Sequence, residues 1–94
     1  MSLTIKFIGA LRQVSGKTQL TVGCQEGISL KELIRKLSQE MPELEKAFSD
    51  QHLSDSRSNA LILINGREIS VLNGFETKLT KGDEIVFIPV VHGG

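Results

Sequence analysis

The sequence has neither tryptophan nor tyrosine, and its four phenylalanines are scattered along the chain. Nothing is available for an aromatic platform that stacks single-stranded nucleic acid. Cysteine is almost absent too, since Cys24 stands alone. A lone cysteine builds no disulfide framework and no Cys-x-x-Cys metal set, and a two-iron cluster needs more thiolates than the chain has. Cys24 is therefore expected to be a small residue in a turn beside Gly23, and no metal site is expected. An excess of charge of either sign is also missing, because eleven basic residues balance eleven acidic ones. No global field draws such a chain to nucleic acid or to acidic lipid, so direct nucleic-acid binding is not expected. No apolar run approaches the roughly 20 residues of a membrane span. The N-terminal Met1-Ser2-Leu3-Thr4-Ile5-Lys6 has no basic flank or long apolar stretch of the signal-peptide kind. These absences point to a cytoplasmic protein without a membrane partner.

What is present suits one compact domain over 1–94. The composition, 39% hydrophobic and 23% charged, is that of a folded globule rather than a disordered chain. Leu3 to Ile8 alternates as a strand, with Leu3, Ile5 and Phe7 on one face. Thr18 to Val22 alternates again, and the modest connection from Gly9 to Gly16 implies a hairpin. Ser29 and Glu32 have the spacing of a capping box, and Ile28 with Leu33 that of a hydrophobic staple. Leu30, Leu33, Ile34, Leu37 and Met41 follow at helical spacing and make one apolar stripe. Pro42 stops this helix or bends it into a short continuation through Leu44, Ala47 and Phe48. The polar stretch from Ser49 to Asn59, which contains His52, is expected to be a surface loop.

Leu61-Ile62-Leu63-Ile64 is a continuous apolar run suited to a buried strand. Asn65-Gly66 follows as a hairpin turn, with a return strand expected over Arg67 to Val71. Asn73-Gly74 and Lys81-Gly82-Asp83 mark further turns, and Glu84 to Ile88 is the last strand, ended by Pro89. Strand, strand, helix, strand, short strand, strand makes an α+β domain with the helix on one face of a mixed sheet of four to five strands. Right-handed crossover places the last strand beside the first and parallel to it, which is the β-grasp arrangement of ubiquitin. Leu33, Ile34 and Leu37 are expected to face the sheet against Ile5, Phe7, Leu63 and Phe87. By strand parity Ile8, Ile88 and Val90 then lie on the other face, as a patch for partners beside the root of the tail.

Inside this domain the sequence holds no Gly-rich phosphate loop, no Ser/His/Asp grouping and no metal-spaced histidine pair. His52 and His92 are too far apart in this topology to act together, and Arg12 in the first connection is equally an ordinary solvated charge. The exceptional segment is Val90-Val91-His92-Gly93-Gly94, a flexible tail after the last strand. Five extended residues reach about 17 Å, enough to enter a partner's channel, and glycine passes where other residues do not fit. A terminal carboxylate is ionised at neutral pH and a poor electrophile. It needs activation, which an ATP-using enzyme supplies by adenylylation.

The residues Asn65-Gly66, Leu79, Gly82-Asp83-Glu84-Ile85, Phe87, Pro89 and Gly93-Gly94, with Phe7-Ile8-Gly9-Ala10-Leu11-Arg12 at the start, resemble the MoaD/ThiS family of ubiquitin-like sulfur carriers. Asn73 to Leu79 is similar to the archaeal branch. The resemblance implies that Gly94 is adenylylated and then thiocarboxylated, and that Val91, His92 and Gly93 enter the partner. It implies a sulfur-donating small subunit of molybdopterin synthase, not catalytic alone, in molybdenum or tungsten cofactor biosynthesis. The implied partners are the synthase large subunit, an adenylyltransferase like the ubiquitin-activating enzymes, and a sulfurtransferase. No cofactor is bound, and ATP is consumed by the activating enzyme. Val90 stands where the family usually has a second proline, and Val91-His92-Gly93-Gly94 is similar to the end of ubiquitin-related modifiers. Protein modification and tRNA thiolation therefore remain the alternative.

Overall fold

The computed structural model describes residues 1–9, 16, 18–42 and 60–89. The first connection with Arg12, the helical continuation through Leu44, Ala47 and Phe48, the loop from Ser49 to Asn59 with His52, and the tail from Val90 to Gly94 lie outside the described residues.

The first hairpin forms as the alternation predicts. Strand β1 (Ser2–Phe7) pairs antiparallel with β2 (Gln19–Gly23), with Ile5 opposite Leu20 and Leu3 opposite Val22. Leu3, Ile5 and Phe7 are all buried, so one face of β1 is wholly core. Cys24 follows β2, ahead of the turn at Glu26-Gly27 rather than within it, and its amide donates to the Met1 carbonyl at 2.8 Å. Burial raises the Cys24 thiol above its ordinary pKa, which leaves little thiolate for redox or nucleophilic work.

Helix α1 (Leu30–Glu40) starts on the predicted cap. Ser29 Oγ accepts from the Glu32 amide at 3.1 Å, and Glu32 Oε1 accepts from the Ser29 amide at 3.1 Å. Two amides that the helix leaves without internal partners are thereby satisfied. The chain stops being helical at Met41, whose φ of −132° and ψ of 85° suit a residue before proline. Leu30, Leu33, Ile34 and Leu37 form the buried stripe, with Ile28 and Met41 packed at its ends.

The cap also makes a pH-dependent contribution to stability. The hydrogen bonds from the Ser29 backbone and hydroxyl hold the Glu32 carboxyl below its ordinary pKa. A lowered folded-state pKa contributes stability above the unfolded value of about 4.3, and that contribution is lost as pH falls through the folded value. Glu32→Gln keeps an acceptor but removes the charge. The gap in melting temperature between the parent and this variant is expected to narrow as pH is lowered through the acid range. A gap independent of pH would contradict this account.

Strand β3 (Ala60–Ile64) turns at Asn65-Gly66 into β4 (Arg67–Glu68). Asn65 and Gly66 both have positive φ, 52° and 83°, as a two-residue turn of this hand requires. The Asn65 side chain ties the turn to the start of the last strand, β5 (Glu84–Pro89). Its Nδ2 donates to Asp83 Oδ1 at 2.8 Å, and its Oδ1 accepts from the Glu84 amide at 3.0 Å. The buried Asp83 carboxylate also accepts from the Thr80 amide and hydroxyl, so this carboxylate is satisfied without a cation.

The return strand is shorter than expected. Only Arg67 and Glu68 pair with β3, and Ile69–Val71 then winds into a 3-10 turn. The Glu68 side chain accepts from the Ser70 amide and caps that turn. Ile69 and Leu72, three residues apart, both pack against the core, which a tight helical turn permits and an alternating strand does not. A second turn over Gly74–Glu76 follows. The chain then passes the helix cap, with the Leu30 amide donating to the Thr77 carbonyl at 2.9 Å and the Leu79 amide to the Ile28 carbonyl at 2.9 Å.

The five strands form one mixed sheet in the order β2-β1-β5-β3-β4. β5 lies between β1 and β3, parallel to the first and antiparallel to the second. Phe7 and Phe87, opposite one another in the register, stack with ring centroids 5.9 Å apart. One expectation about the core needs correction. Leu63 does not face the helix: Ile62 and Ile64 are the buried residues of β3, and Leu63 is only half-buried. The register explains this, because Ile62 lies opposite Phe87 and Ile64 opposite Ile85, both core residues, whereas Leu63 lies opposite Val86.

Candidate functional site

The face of the sheet opposite α1 is built by the residues that alternate with the core. In β1 these are Thr4 and Lys6, in β5 Glu84, Val86 and Ile88, and in β3 Leu61 and Leu63. The Ile8 amide donates to the Phe87 carbonyl at 3.0 Å. Parallel pairing therefore continues one residue past β1 and sets Ile8 beside Ile88. Ile88 in turn lies opposite Leu61. Ile8 is 38% exposed, one of two large apolar side chains well exposed among the described residues.

Two rows of apolar side chains thus run across the central strands. Ile8, Ile88 and Leu61 form one, and Val86 with Leu63 forms the next. Lys6 and Glu84 flank them as an ion pair at 3.1 Å. The first row is the one nearest the end of β5, where Pro89 pairs with Ala60 before the tail begins. An apolar strip on an uncovered sheet face is the kind of surface on which a partner gains burial.

Of the residues singled out from the sequence, the structure brings Ile8 and Ile88 together on this face. Val90, Val91, His92, Gly93 and Gly94 lie outside the described residues. Leu61 and Leu63 were missed as members of the strip, because four consecutive apolar residues carry no alternation from which to read a face. Among the described residues no group of three or more His, Cys, Asp or Glu side chains is placed to hold a metal ion. No described helix is long and apolar enough to cross a membrane.

A mixed sheet of this order with one helix laid across it defines a ubiquitin-like β-grasp protein. The chain belongs to the ThiS family, whose model matches residues 5–94. It is 27% identical over 94 residues to small archaeal modifier protein 3 of Haloferax volcanii, covering all of both chains. It is 38% identical over 71 residues to a protein of Archaeoglobus fulgidus named as a sulfur carrier, covering 73% of this chain and 77% of that one. A solved structure from Pyrococcus furiosus, named as subunit 1 of molybdopterin converting factor, superposes with a TM-score of 0.78. That match covers 97% of this chain and 99% of the other at 21% identity, and it bears on the fold. The family is one of ubiquitin-like sulfur carriers and modifiers.

Proposed function

We propose that this protein carries sulfur on the carboxyl group of Gly94, as the small subunit of molybdopterin synthase. The observation that supports this best is the placement of β5. The strand delivers the chain to Pro89 beside an apolar strip, five residues before the Gly-Gly end. A partner docked on the strip holds the end of the tail in its own active site, within a reach of about 17 Å.

The chemistry needs little from the carrier itself. The Gly94 carboxylate attacks the α-phosphorus of ATP on an adenylyltransferase and displaces pyrophosphate. The persulfide sulfur of a sulfurtransferase then attacks the acyl carbon and displaces AMP, and a thiol cleaves the S–S bond of the resulting acyl persulfide, forming a disulfide and releasing the thiocarboxylate. The synthase large subunit receives the tail and transfers the sulfur to the pterin precursor. The lysines or arginines that stabilise charge in these steps belong to the partners. A second reading, conjugation to protein lysines, uses the same activated terminus and is favoured by the full-length similarity to a small archaeal modifier.

The test is incubation with the cognate activating enzyme, ATP and a sulfur source. The intact mass is expected to rise by the difference between sulfur and oxygen. An unchanged mass with competent activating enzymes rules out the carrier reading, and adducts on target lysines would favour conjugation. Docking is tested separately. Ile8→Asp or Ile88→Asp is expected to weaken partner binding by ~2 kcal/mol or more, as at the centre of an interface. Circular dichroism is expected to show the fold intact. Unfolding of either variant, with normal binding by the folded fraction, would place these residues in the core instead.

A further inference from the structure

Charge on the docking face carries information about what covers it. One cross-strand row reads Gln19, Lys6, Val86, Leu63, Glu68. Its apolar centre has a cation on one side and a carboxylate on the other. Adjacent strands lie about 4.8 Å apart, so the Lys6 and Glu68 backbones are about 14 Å apart. Lys6 instead pairs with Glu84 at 3.1 Å, and those two charges cancel. No cation pairs with Glu68 among the described residues. Its carboxylate accepts from the Ser70 amide, which holds the side chain against the 3-10 turn, and hydrogen bonding to Ser70 lowers its pKa below the ordinary range. A carboxylate has about four acceptor positions, and the Ser70 amide occupies one.

We propose that the activating enzyme covers this face with an apolar ridge over Ile8, Ile88 and Leu61 and places a lysine or arginine on Glu68. The inference rests on the sulfur-carrier reading, since that enzyme must hold the end of a tail rooted at Pro89. An apolar surface laid over Leu63 removes water from the neighbouring Glu68. Desolvating a carboxylate without a counter-charge is strongly unfavourable, so the matching surface carries a cation there. Because Ser70 already orders the carboxylate, pairing immobilises little that was free. Among the described residues of this face Glu68 is a carboxylate without a paired cation, which steers a basic surface towards it. The Glu68 side chain thus acts as a specificity determinant, and the apolar strip supplies the burial.

Pyrophosphate release by the purified cognate activating enzyme tests this, with ATP saturating and the carrier varied at two ionic strengths. Glu68→Gln retains an acceptor for Ser70 and changes only the charge. Its KM is expected to be about tenfold higher than that of the parent at low salt with kcat unchanged. The difference is expected to shrink to about twofold or less near 1 M salt, where the Debye length is about 3 Å. An equal KM at low salt overturns the proposal while leaving the carrier reading intact. A rise of the same size at both ionic strengths also overturns it, because it marks lost structure rather than lost charge. If the parent protein releases no pyrophosphate, the carrier reading and this inference fall together. If sedimentation shows a dimer that Ile88→Asp abolishes, the face belongs to a second copy and the proposal is wrong.

Discussion

Deletion of Gly94 is expected to abolish thiocarboxylate formation completely while leaving the thermal melt superimposable on that of the parent. The residue proposed to carry the reacting carboxyl is removed, and the new terminus at Gly93 falls short by about 3.5 Å. Misplacement by as little as about 1 Å can cost a hundredfold in rate, so a full residue is expected to leave no detectable product. Stability is expected to be unaffected because the core cluster of the described residues draws on Leu3 in β1 to Phe87 in β5, and terminal residues contribute little to folding. Intact mass after incubation with activating enzyme, ATP and a sulfur source reads the first effect, and calorimetry the second. A truncated chain that still gains sulfur would place the acceptor elsewhere.

Leu37→Ala is expected to destabilise the fold by about 2–5 kcal/mol without altering the slope of the denaturant transition. Leu37 is fully buried in the cluster that also holds Ile5, Phe7, Ile34 and Phe87. Truncation removes apolar contact and leaves a cavity that a helix backed by a five-stranded sheet fills poorly. Arg35, on the exposed side of the same helix, is the control, and its alanine variant should stay within about 0.5 kcal/mol of the parent. A Leu37 effect as small as the control would mean that the helix packs by another face.

Much of the architecture was legible because short-range chemistry specifies it. Ser29 and Glu32 mark the helix start through hydrogen bonds closed within four residues. Asn65-Gly66 specifies its turn through two positive φ angles that few other residue pairs accept. The alternation of Leu3, Ile5 and Phe7 orients β1, and the handedness of crossovers places β5 beside it. The strand expected over Arg67 to Val71 was illegible for a different reason. Ile69 and Leu72 both seek the core, and only the position of β4 at the sheet edge shows that a 3-10 turn lets them reach it.

The sequence by itself determined the local devices, the helix cap and the Asn65-Gly66 turn, since each needs only its own residues or near neighbours. The orientation of β3 was decided by the tertiary structure alone. Leu61, Ile62, Leu63 and Ile64 are equally apolar, so either pair could have faced the helix. The choice falls to register. Asn65 is locked to Glu84 by a backbone bond of 2.8 Å and by its own amide, which aligns Ile64 with Ile85 and Ile62 with Phe87. Side chains opposite one another in paired strands share a face, so Leu61 and Leu63 are turned out beside Ile88 and Val86. The apolar strip exists because a hydrogen bond between residues nineteen apart settles a parity that hydrophobicity leaves open.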